Sequence, residues 1–557
     1  MAQLASREER PWWRDAVTYQ IYPRSFADAN GDGIGDVEGI RSRLPYLKSL
    51  GIDAIWISPW YPSPQHDHGY DVSDYMDIEP AYGTLAQAEQ LIKETHDFGI
   101  KFIVDIVPNH TSSDHKWFQQ ALAAKSGSPE RDRYMFRDGK GESGELPPNN
   151  WEAVFGGPAW ERVIEADGTP GQWYLHLFAI EQPDLNWENQ EVKDHLEDVL
   201  KFWLDRGVDG FRIDVAHGMV KEAGLPDIRI DPTATMLGTE HKPFWDQEGV
   251  HDIYRSWRKI FDSYPGDRMA VAEAWVSPAT RIARYLRPDE LANSFNFDFL
   301  ISLWEAAFLK KRIVTSMAAM AEVGAPSSWV FNNHDLVRSV DRFDLGLLNV
   351  DKSTLHRQGD AKKFNLERGT RRARAGALLM LALRGGAYVY QGEELAVPEV
   401  RDIPEDRLTD PRWVMSGKVD RGRDGCRVPL PWHHDATGAF GFSANESLRP
   451  IEAWLPQSDW WGKFAASLQE GVETSTLSMY RKALAIRKGE AGMGDGPMTW
   501  LDSNDEVLAF TRPGNFACYV NFGVEIELPA GAQVLLSSGP LVGNKLPTDT
   551  AVWMRIN

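Results

Sequence analysis

Short apolar runs rich in β-branched residues alternate with amphipathic stretches of helical period over most of the chain. This alternation is typical of parallel strands that are connected by helices. Eight of the apolar runs are predicted as strands, at residues 17–22, 54–59, 102–107, 210–215, 269–273, 294–299, 329–333 and 388–391. Helices are predicted, for example, at residues 36–50, 85–98, 191–206, 253–264, 371–383 and 474–487. Eight strand and helix pairs predict a (β/α)8 barrel of the TIM type, with functional residues on the loops that follow the strands.

Two long segments interrupt the alternation, and a third region follows it. The segment after the third strand is rich in Gly, Pro and Trp, and the segment at about 396–464, after the eighth strand, is dominated by loops. A Gly-rich break at 488–496 is followed by short strand candidates at 507–511, 517–521, 533–537 and 552–556. The predicted domains are a barrel in two parts, 1–110 and 181–490, an inserted domain B at 111–180, and a C-terminal antiparallel β-sandwich at 491–557.

Composition and charge narrow the classes of partner. The chain is 42% hydrophobic and 25% charged, as in an ordinary globular protein, and no stretch approaches the roughly 18 to 20 apolar residues of a membrane helix. The net charge of −21, without a Lys/Arg cluster, argues against nucleic acid as a partner. The N-terminus lacks the apolar run of a secretory signal, and Cys426 and Cys518 lack metal or disulfide spacing. We therefore predict a cytoplasmic protein that binds neither nucleic acid nor membranes.

Four acidic residues lie at or just beyond the ends of predicted strands: Asp105, Asp214, Glu273 and Asp335. One such residue alone is more often a loop residue or a helix cap, but the carboxyl ends of barrel strands converge, so four in one layer indicate a catalytic site. Retaining glycoside hydrolysis needs two close carboxylates, one that attacks the sugar and one that exchanges protons with the leaving oxygen and with water. The 22 Trp residues are compatible with sugar stacking, although aromatic residues more often fill cores.

The segment DANGDGIGD carries oxygen-bearing side chains at alternate positions, separated by glycines: Asp28, Asn30, Asp32 and Asp36. This spacing resembles the first half of an EF-hand loop without its distal Glu, and it predicts a structural Ca²⁺ or Mg²⁺ site. The alternative is a loop closed by Asx turns with no ion. We predict no organic cofactor.

Seven short segments occur in an order that resembles glycoside hydrolase family 13, the α-amylase superfamily, in its oligosaccharide-cleaving α-glucosidase branch. They are AIWISPW from Ala54, DIVPNH from Asp105, QPDLN from Gln182, GFRIDV from Gly210, VAEAW from Val271, FNNHD from Phe331 and YQGEEL from Tyr390. Each is weak alone, but seven in order are specific, and they cover nearly the whole chain. The resemblance implies a barrel enzyme that acts on α-glucosides.

The resemblance also implies roles for the strand-end acids. Asp214 matches the catalytic nucleophile, Glu273 the general acid/base, and Asp335 the carboxylate that binds sugar hydroxyls and stabilises the transition state. Arg212 precedes Asp214 by two residues and therefore points to the same face of the strand. We expect its positive charge to keep Asp214 ionised.

Further residues match the pocket that holds the terminal glucose. Asp67 and Tyr70 in HDHGYDVSDY resemble the pair that lines this pocket, and Arg427 in RDGCRVPLPW resembles the arginine that pairs with the Asp. Such a pair closes the non-reducing end and implies exo action, although a merely structural salt bridge fits the same positions. The other pocket residues implied by the resemblance are His110, Gln182, His334 and Arg338.

Three remaining features bear on specificity and on the metal. A Val directly after the nucleophile, here Val215, tends in this family to accompany cleavage of α-1,6 bonds, although a β-branched residue at a strand end needs no functional reason. The resemblance adds the Ile34 carbonyl to the metal ligands. The chain departs from the family pattern at Ala272, where many relatives have Gly, and at 339–370, which is longer and more basic than the pattern. We expect the second departure to reshape the pocket entrance and with it the preference for the leaving group.

The leading hypothesis is an exo-acting α-glucosidase for short oligosaccharides, acting as a monomer or homodimer. The alternative is a glucosyl transferase or isomerase of the same family, of the sucrose isomerase or trehalose synthase type, because a covalent glucosyl-enzyme can pass its sugar to an alcohol. A non-catalytic barrel is disfavoured because the candidate catalytic residues are all present.

Overall fold

The computed structural model describes residues 10–228, 242–346 and 364–556, and within these ranges it confirms the predicted barrel. All eight predicted strands are present. They are β1 Val17–Ile21, β2 Ala54–Ile57, β3 Lys101–Ile106, β4 Gly210–Ile213, β5 Met269–Ala272, β6 Asn293–Ser294, β7 Ser328–Val330 and β8 Gly386–Tyr390.

These strands form one parallel sheet in the order β7-β8-β1-β2-β3-β4-β5-β6. The two outer strands of this order are consecutive in the chain, so the sheet is a nearly closed barrel. Every residue of β1, β2, β4, β5 and β8 is buried, as expected for parallel strands that are covered on both faces. The carboxyl ends of the strands therefore meet at one end of the barrel.

Helices connect the strands of the barrel and also occur in the long connecting segments. The longer ones are Leu85–Asp97, Lys116–Ala123, Gln190–Asp205, Val250–Asp262, Ala306–Glu322, Leu366–Ala382 and Thr476–Gly489. The shorter ones include Ala279–Arg284, Phe297–Leu300, Ser339–Leu345, Pro411–Met415, Asp424–Arg427 and Ala466–Gln469. The predicted helix at 36–50 is two helices, Val37–Ser42 and Leu44–Leu50. Pro45 explains the break, because it has no N–H to continue the first helix.

The sixth strand is shorter than predicted. The strand expected at 294–299 ends at Ser294, and Phe297–Leu300 is a helix. The side chain of Asn296 accepts a hydrogen bond from Phe299 N at 3.0 Å and caps this helix. The helix packs its Phe299 ring against Trp329 of β7, with ring centroids 5.0 Å apart, and so fills the space between β6 and β7.

The segment predicted as an inserted domain contains its own small sheet. Three antiparallel strands, Phe136–Arg137, Pro170–Leu175 and Trp160–Ile164, lie in that order across the sheet. Trp151 and Trp160 are both buried in a core beside this sheet. Lys221, on the loop after β4, joins the two chain stretches that flank the segment, because its Nζ lies 2.7 Å from Asp184 Oδ2 and 2.8 Å from Asn109 Oδ1.

The C-terminal region is antiparallel, as predicted. Five strands pair in the order Thr499–Trp500, Val507–Arg512, Phe516–Asn521, Thr550–Arg555 and Gln533–Ser537, and Ile526–Glu527 pairs with Lys545–Leu546. The five-stranded sheet is attached to the barrel by the helix Leu366–Ala382, where Trp553 Nε1 donates to Leu378 O at 3.0 Å. Both cysteines are buried and free. Among the described helices, we find none that combines the length and the apolar character needed to span a bilayer.

Candidate active site

The register of the barrel places the predicted nucleophile and the predicted acid/base side by side. Ile213 at the end of β4 is paired with Ala272 at the end of β5, so Asp214 and Glu273 follow at the same level. Asp214 N donates to Ile106 O and Glu273 N donates to Ile213 O, at 2.8 and 2.9 Å, and these bonds continue the ladder by one residue. Both side chains therefore leave the barrel at its carboxyl end.

One guanidinium is shared by three carboxylates at this end of the barrel. Arg212 Nη1 lies 3.0 Å from Asp105 Oδ1 and 2.5 Å from Asp214 Oδ1, and Arg212 Nη2 lies 3.1 Å from Glu273 Oε2. Asp105 also accepts hydrogen bonds from Trp56 Nε1 and from the Tyr70 hydroxyl, both at 3.2 Å. All four charged groups are buried.

The two aspartates that face this cation bind protons more readily than separate carboxyls do. Burial raises the pKa of Asp105 to about 7, against the opposing charge of Arg212. Burial likewise raises the pKa of Asp214, and although Arg212 lowers it as expected, the charges of Glu273 and Asp105 add to the upward shift. The cluster as a whole therefore takes up a proton at a higher pH than an isolated carboxyl would.

Glu273 is held by donors from two loops. Val215 N donates to Glu273 Oε2 at 2.9 Å, and the Trp275 indole N–H donates to Glu273 Oε1 at 2.9 Å. Val215 makes its contact from a left-handed backbone conformation, with φ of 44°, which is strained for a β-branched residue. Such strain persists where surrounding contacts impose it and is concentrated at functional sites. Trp275 was not among the predicted site residues.

Asp335 lies in a different electrostatic environment. Its Oδ1 is 3.1 Å from both Arg423 Nη1 and Arg427 Nη2, and its Oδ2 is 3.6 Å from His334 Nε2. Burial opposes ionisation, but His334, Arg423 and Arg427 outweigh it and hold the pKa of Asp335 well below its usual range. Asp335 is thus an ionised carboxylate, in contrast to the proton-binding cluster around Arg212.

The arginine that pairs with Asp67 is Arg423, so the prediction that Arg427 makes this pair is wrong. Arg423 Nη2 lies 2.7 Å from Asp67 Oδ1, whereas Arg427 donates from Nε to the backbone oxygen of His334 at 2.8 Å and contacts Asp335. The two arginines are four residues apart on the short helix Asp424–Arg427 and the residue before it, so both face the same pocket. The motif RDGCR contains both, and sequence alone favoured the second.

Asp410 holds Arg423 in place. Arg423 Nε lies 2.6 Å from Asp410 Oδ2, and the Arg423 guanidinium carbon lies 5.2 Å from the centroid of the Phe155 ring. Asp410 belongs to the loop-rich segment at 396–464, and Phe155 belongs to the inserted segment. Both excursions therefore reach the pocket, and neither residue was predicted from the sequence.

His334 is stacked between two tyrosines. Its ring is nearly parallel to the Tyr70 ring, at an angle of 6° and a centroid distance of 5.2 Å, and the Tyr22 ring stacks on it at 5.7 Å. Burial keeps the pKa of His334 well below its usual value, so the ring is neutral. Gln20 Nε2 lies 2.7 Å from His334 Nδ1, which makes Nδ1 the acceptor and leaves the proton on Nε2, on the side of Asp335.

His110, Gln182, Asp67 and Tyr70 form one connected group. Gln182 Nε2 lies 3.2 Å from Asp67 Oδ2 and 3.1 Å from His110 Nε2, and His110 Nε2 lies 3.1 Å from the backbone oxygen of Tyr70. His110 and Gln182 are almost completely buried. The structure thus brings these four predicted residues together, and Gln182 is the hydrogen-bond partner that the other three share.

Arg338 is bonded to backbone carbonyls of two segments. Its Nη1 donates to Gln391 O at 3.0 Å and its Nη2 donates to Cys426 O at 2.8 Å. The guanidinium also lies over the Tyr390 ring, 4.8 Å from its centroid. Arg338 thus joins the loops after β7 and β8, and its contact with a sugar stays a prediction.

The loop DANGDGIGD is closed by its own hydrogen bonds. Asp28 accepts from Gly31 N and Gly33 N at 2.6 and 2.8 Å, and Asp36 accepts from Asn30 N at 3.0 Å while capping the helix Val37–Ser42. Asp32 Oδ1 accepts from the N–H of Ile34 at 2.8 Å. Within the described ranges no group of three or more His, Cys, Asp and Glu side chains is placed to hold a metal ion. The five oxygen donors remain of the type that Ca²⁺ prefers, so the metal site stays a prediction.

Part of the segment that is longer and more basic than the family pattern lies outside the described residues. Of the long basic segment at 339–370, residues 339–346 and 364–370 are described and 347–363 are not. Ser339–Leu345 is helical, and its Asp344 accepts a hydrogen bond from Arg368 Nε at 2.6 Å. This bond joins the two described ends of the segment.

Comparison with known proteins agrees with this geometry. The family model for the catalytic domain of α-amylase matches residues 20–496. A "probable alpha-glucosidase" of Rhizobium meliloti is 35% identical over 96% of this chain and 93% of its own length, and an oligo-1,6-glucosidase of Parageobacillus thermoglucosidasius is 36% identical over 86% and 84%. A solved structure described as an α-glucosyl transfer enzyme is 33% identical, with a TM-score of 0.84 over 98% of this chain and 99% of its own.

Proposed function

This chain belongs to the α-amylase family, glycoside hydrolase family 13, and from that premise we propose that it is a retaining, exo-acting α-glucosidase. It releases terminal, non-reducing α-linked glucose from short oligosaccharides through a covalent glucosyl-enzyme. The observation that carries this proposal is the pair Asp214 and Glu273, which contact the same arginine from adjacent strand ends. Two carboxylates that share one guanidinium are neighbours, as double displacement requires.

The reaction follows from the protonation of this cluster. In the first step, Asp214 attacks the anomeric carbon while the proton held by Glu273 passes to the glycosidic oxygen, and the leaving sugar departs. In the second step, Glu273 takes a proton from water, whose oxygen attacks the anomeric carbon and releases Asp214. This division of roles requires Glu273 to be protonated and Asp214 to be ionised when the first step begins.

Asp335 supplies the negative charge beside the reacting sugar. Its pKa lies well below the usual range, so it stays ionised throughout and can accept sugar hydroxyls and stabilise an oxocarbenium-like transition state. His334, neutral with its proton on Nε2, is a donor to a neighbouring hydroxyl. The pair therefore offers an acceptor and a donor to one side of the glucose ring.

Exo action is supported by the ion pairs at one end of the site. Arg423 links Asp67, Asp335 and Asp410. Arg423, Asp67 and Asp410 are buried, and Asp335 is partly buried. A wall made of these paired charges binds the hydroxyls of a terminal glucose and leaves no continuation for a further sugar beyond it. The name of one relative, an oligo-1,6-glucosidase, favours α-1,6 linkages, and α-1,4 linkages and sucrose are further candidates.

The alternative is a transferase or isomerase of the same family, and the similarity to an α-glucosyl transfer enzyme favours it. The first step is identical in both cases, because only the acceptor of the glucosyl group differs. A product assay distinguishes them. Maltose, isomaltose and sucrose are each incubated with the enzyme, and the products are followed by proton NMR.

We expect free glucose that appears first as the α-anomer, since two inversions retain the configuration. Glu273→Gln tests the acid/base role in the same assay. This variant should lose activity on disaccharides far more than on aryl glucosides with good leaving groups. First-formed β-glucose would contradict retention. Rearranged disaccharide as the main product from sucrose would favour the isomerase.

We also propose that DANGDGIGD holds a structural Ca²⁺ or Mg²⁺, with Asp28, Asn30, Asp32, Asp36 and the Ile34 carbonyl as ligands. Chelation should then lower the thermal midpoint more than the rate, because the loop is not part of the Arg212 cluster. The metal content of the purified protein, measured by mass spectrometry, provides the control. Unchanged stability together with metal-free protein would identify the loop as closed by Asx turns alone.

A further inference from the structure

The two oxygens of Glu273 have unequal partners. Oε2 accepts the backbone N–H of Val215 at 2.9 Å and lies 3.1 Å from Arg212 Nη2. Oε1 accepts the indole N–H of Trp275 at 2.9 Å. Because a charged donor and a backbone donor both face Oε2, negative charge is better stabilised there, and Oε1 is the easier oxygen to protonate.

We propose that Trp275 is a positioning residue that holds Oε1 of Glu273 as the oxygen that carries the catalytic proton. This inference rests on the proposed role of Glu273 as general acid/base. An oxygen of a carboxyl group has two lone pairs, so the indole N–H can bind one while the proton occupies the other. The hydrogen bond fixes the rotation of the carboxyl group and thereby the direction in which the proton points.

Packing places the indole independently of this hydrogen bond. The Trp275 ring is stacked on Phe297, with centroids 3.8 Å apart and an angle of 22° between the planes. It also packs against the apolar cluster that contains Phe295 and Val271 of β5. A donor fixed by packing is pre-organised, so it orients Glu273 without a cost when the substrate binds.

The hydrogen bond also has an effect on charge. A donor to an ionised carboxylate stabilises the ionised form, so its removal lets the group keep its proton to a higher pH. Loss of the indole N–H should therefore move the alkaline limb of the pH profile upward. A residue that acted only through packing would not move this limb in a defined direction.

The test uses Trp275→Phe, which keeps an aromatic ring for Phe297 and removes the N–H. The matched control is Trp304→Phe, because the Trp304 indole donates to Asp549 Oδ1 at 2.7 Å, at the C-terminal sheet. Both variants and the wild type are assayed by leaving-group release, which is common to hydrolysis and transfer. A disaccharide and a dinitrophenyl α-glucoside serve as substrates, and the profile of kcat/KM against pH is recorded.

For Trp275→Phe we expect the alkaline limb to rise by roughly one to two pH units, as for one lost hydrogen bond to a charged group. The kcat on the disaccharide should fall about tenfold, and the kcat on the dinitrophenyl glucoside about twofold at most, because a good leaving group needs little protonation. Trp304→Phe should leave both quantities unchanged.

An unmoved alkaline limb, or an equal loss on both substrates, would overturn the inference. If Trp275→Phe does not fold, as judged by circular dichroism, Trp275→Tyr is measured in its place, since it also lacks the indole N–H and keeps a ring. A wild type without leaving-group release on any α-glucoside would contradict the proposed function itself. The two failures are therefore distinguishable.

Discussion

A cluster of charged side chains lies at each end of β4. Basic groups are in excess in one cluster, and carboxylates are in excess in the other. Asp209, just before the strand, is surrounded by three basic groups: His96 and Arg268 at 2.7 Å and Lys101 at 3.0 Å. Just after the strand, the situation is reversed, because Arg212 is shared by three carboxylates. The same short strand thus carries an anion among cations at one end and a cation among anions at the other.

This difference separates structural from chemical roles. Burial would raise the pKa of Asp209, but the bonds from His96 and the backbone N–H of Phe102, together with the charge of Lys101, lower it. The pKa of Asp214 is shifted in the opposite direction, as described above. An ion cluster with its charges satisfied stabilises the fold, whereas a cluster that is short of positive charge binds a proton and can transfer it.

The largest expected effect is at the anion-rich end. Asp214→Asn removes the proposed nucleophile but keeps the shape, so turnover should fall by several orders of magnitude while the fold survives. Asp209→Asn is the matched control, being the same change at the other end of β4, and its folded form should retain turnover. Steady-state kinetics and circular dichroism check both. Near wild-type activity in Asp214→Asn would show that the two ends of β4 do not differ in chemical role.

The sequence predicted the cluster that follows β4 better than the cluster that precedes it. Asp214, Glu273 and Asp105 could be found because a parallel strand has a recognisable apolar pattern, and a carboxylate at its carboxyl end faces the barrel mouth. The eight strands, the inserted sheet and the C-terminal sheet have the same kind of local pattern. Asp209 passed unnoticed because its partners come from three other elements.

The residues that sequence reasoning missed or misassigned are those positioned by long connections. Arg423 and Asp410 lie in loops of the segment 396–464, where no periodicity fixes the direction of a side chain. The choice between Arg423 and Arg427 depends on a single helical turn. Trp275 was missed because a tryptophan after a strand is more often a core residue, and here its ring is indeed packed.

Arg423 provides the second test, because it is a cation that three carboxylates share at the carboxyl end of the barrel. Unlike Arg212, it acts on Asp335, whose pKa is lowered, so the carboxylates it serves are kept ionised. Arg423→Lys keeps the charge but cannot reach Asp67, Asp335 and Asp410 together. We expect kcat/KM to fall about a hundredfold, mainly through KM, as for lost interactions with bound sugar of about 2.7 kcal/mol.

The control for this change is Arg421→Lys, two residues earlier. Arg421 donates to the backbone oxygen of Ile403 and is not bonded to Asp67, Asp335 or Asp410. Kinetics on maltose, together with thermal midpoints, separate binding from stability. A similar loss of kcat/KM in Arg421→Lys would mean that the whole loop, rather than the Arg423 guanidinium, shapes the pocket.

The third test is at the cation-rich end and concerns stability. Asp209→Asn leaves three basic groups without their anion, and we expect the free energy of unfolding to fall by about 2 kcal/mol, since His96 and Lys101 are partly exposed and screened. The pKa of Asp209 is lowered in the folded state, so its contribution is present above the unfolded value of about 4 and is lost as the pH falls through the folded value.

Urea unfolding at several pH values measures this contribution. The difference between wild type and Asp209→Asn should shrink as the pH falls below about 4, because the carboxyl is then protonated first in the unfolded state and at still lower pH in the folded state. Lys93→Gln is a suitable control, because its partner Asp97 is exposed and the pair should contribute little. A difference that persisted unchanged in acid would mean that Asp209 acts through shape and not through charge.

The smallest expected effect lies at Val215, which joins the chemical end of β4 to the question of linkage. Val215 is buried, has a φ of 44°, and donates its N–H to Glu273. Val215→Thr keeps the β-branched shape, so the backbone strain and the bond to Glu273 should be unchanged, while a hydroxyl is added beside the place of the second sugar. Such a hydroxyl can change discrimination by roughly 1 to 2 kcal/mol. The ratio of kcat/KM for isomaltose to that for maltose should therefore fall, with kcat on an aryl glucoside nearly constant because the acid/base contact is preserved. A ratio that does not move, or a wild type that barely cleaves isomaltose, would show that Val215 serves only to present its N–H to Glu273.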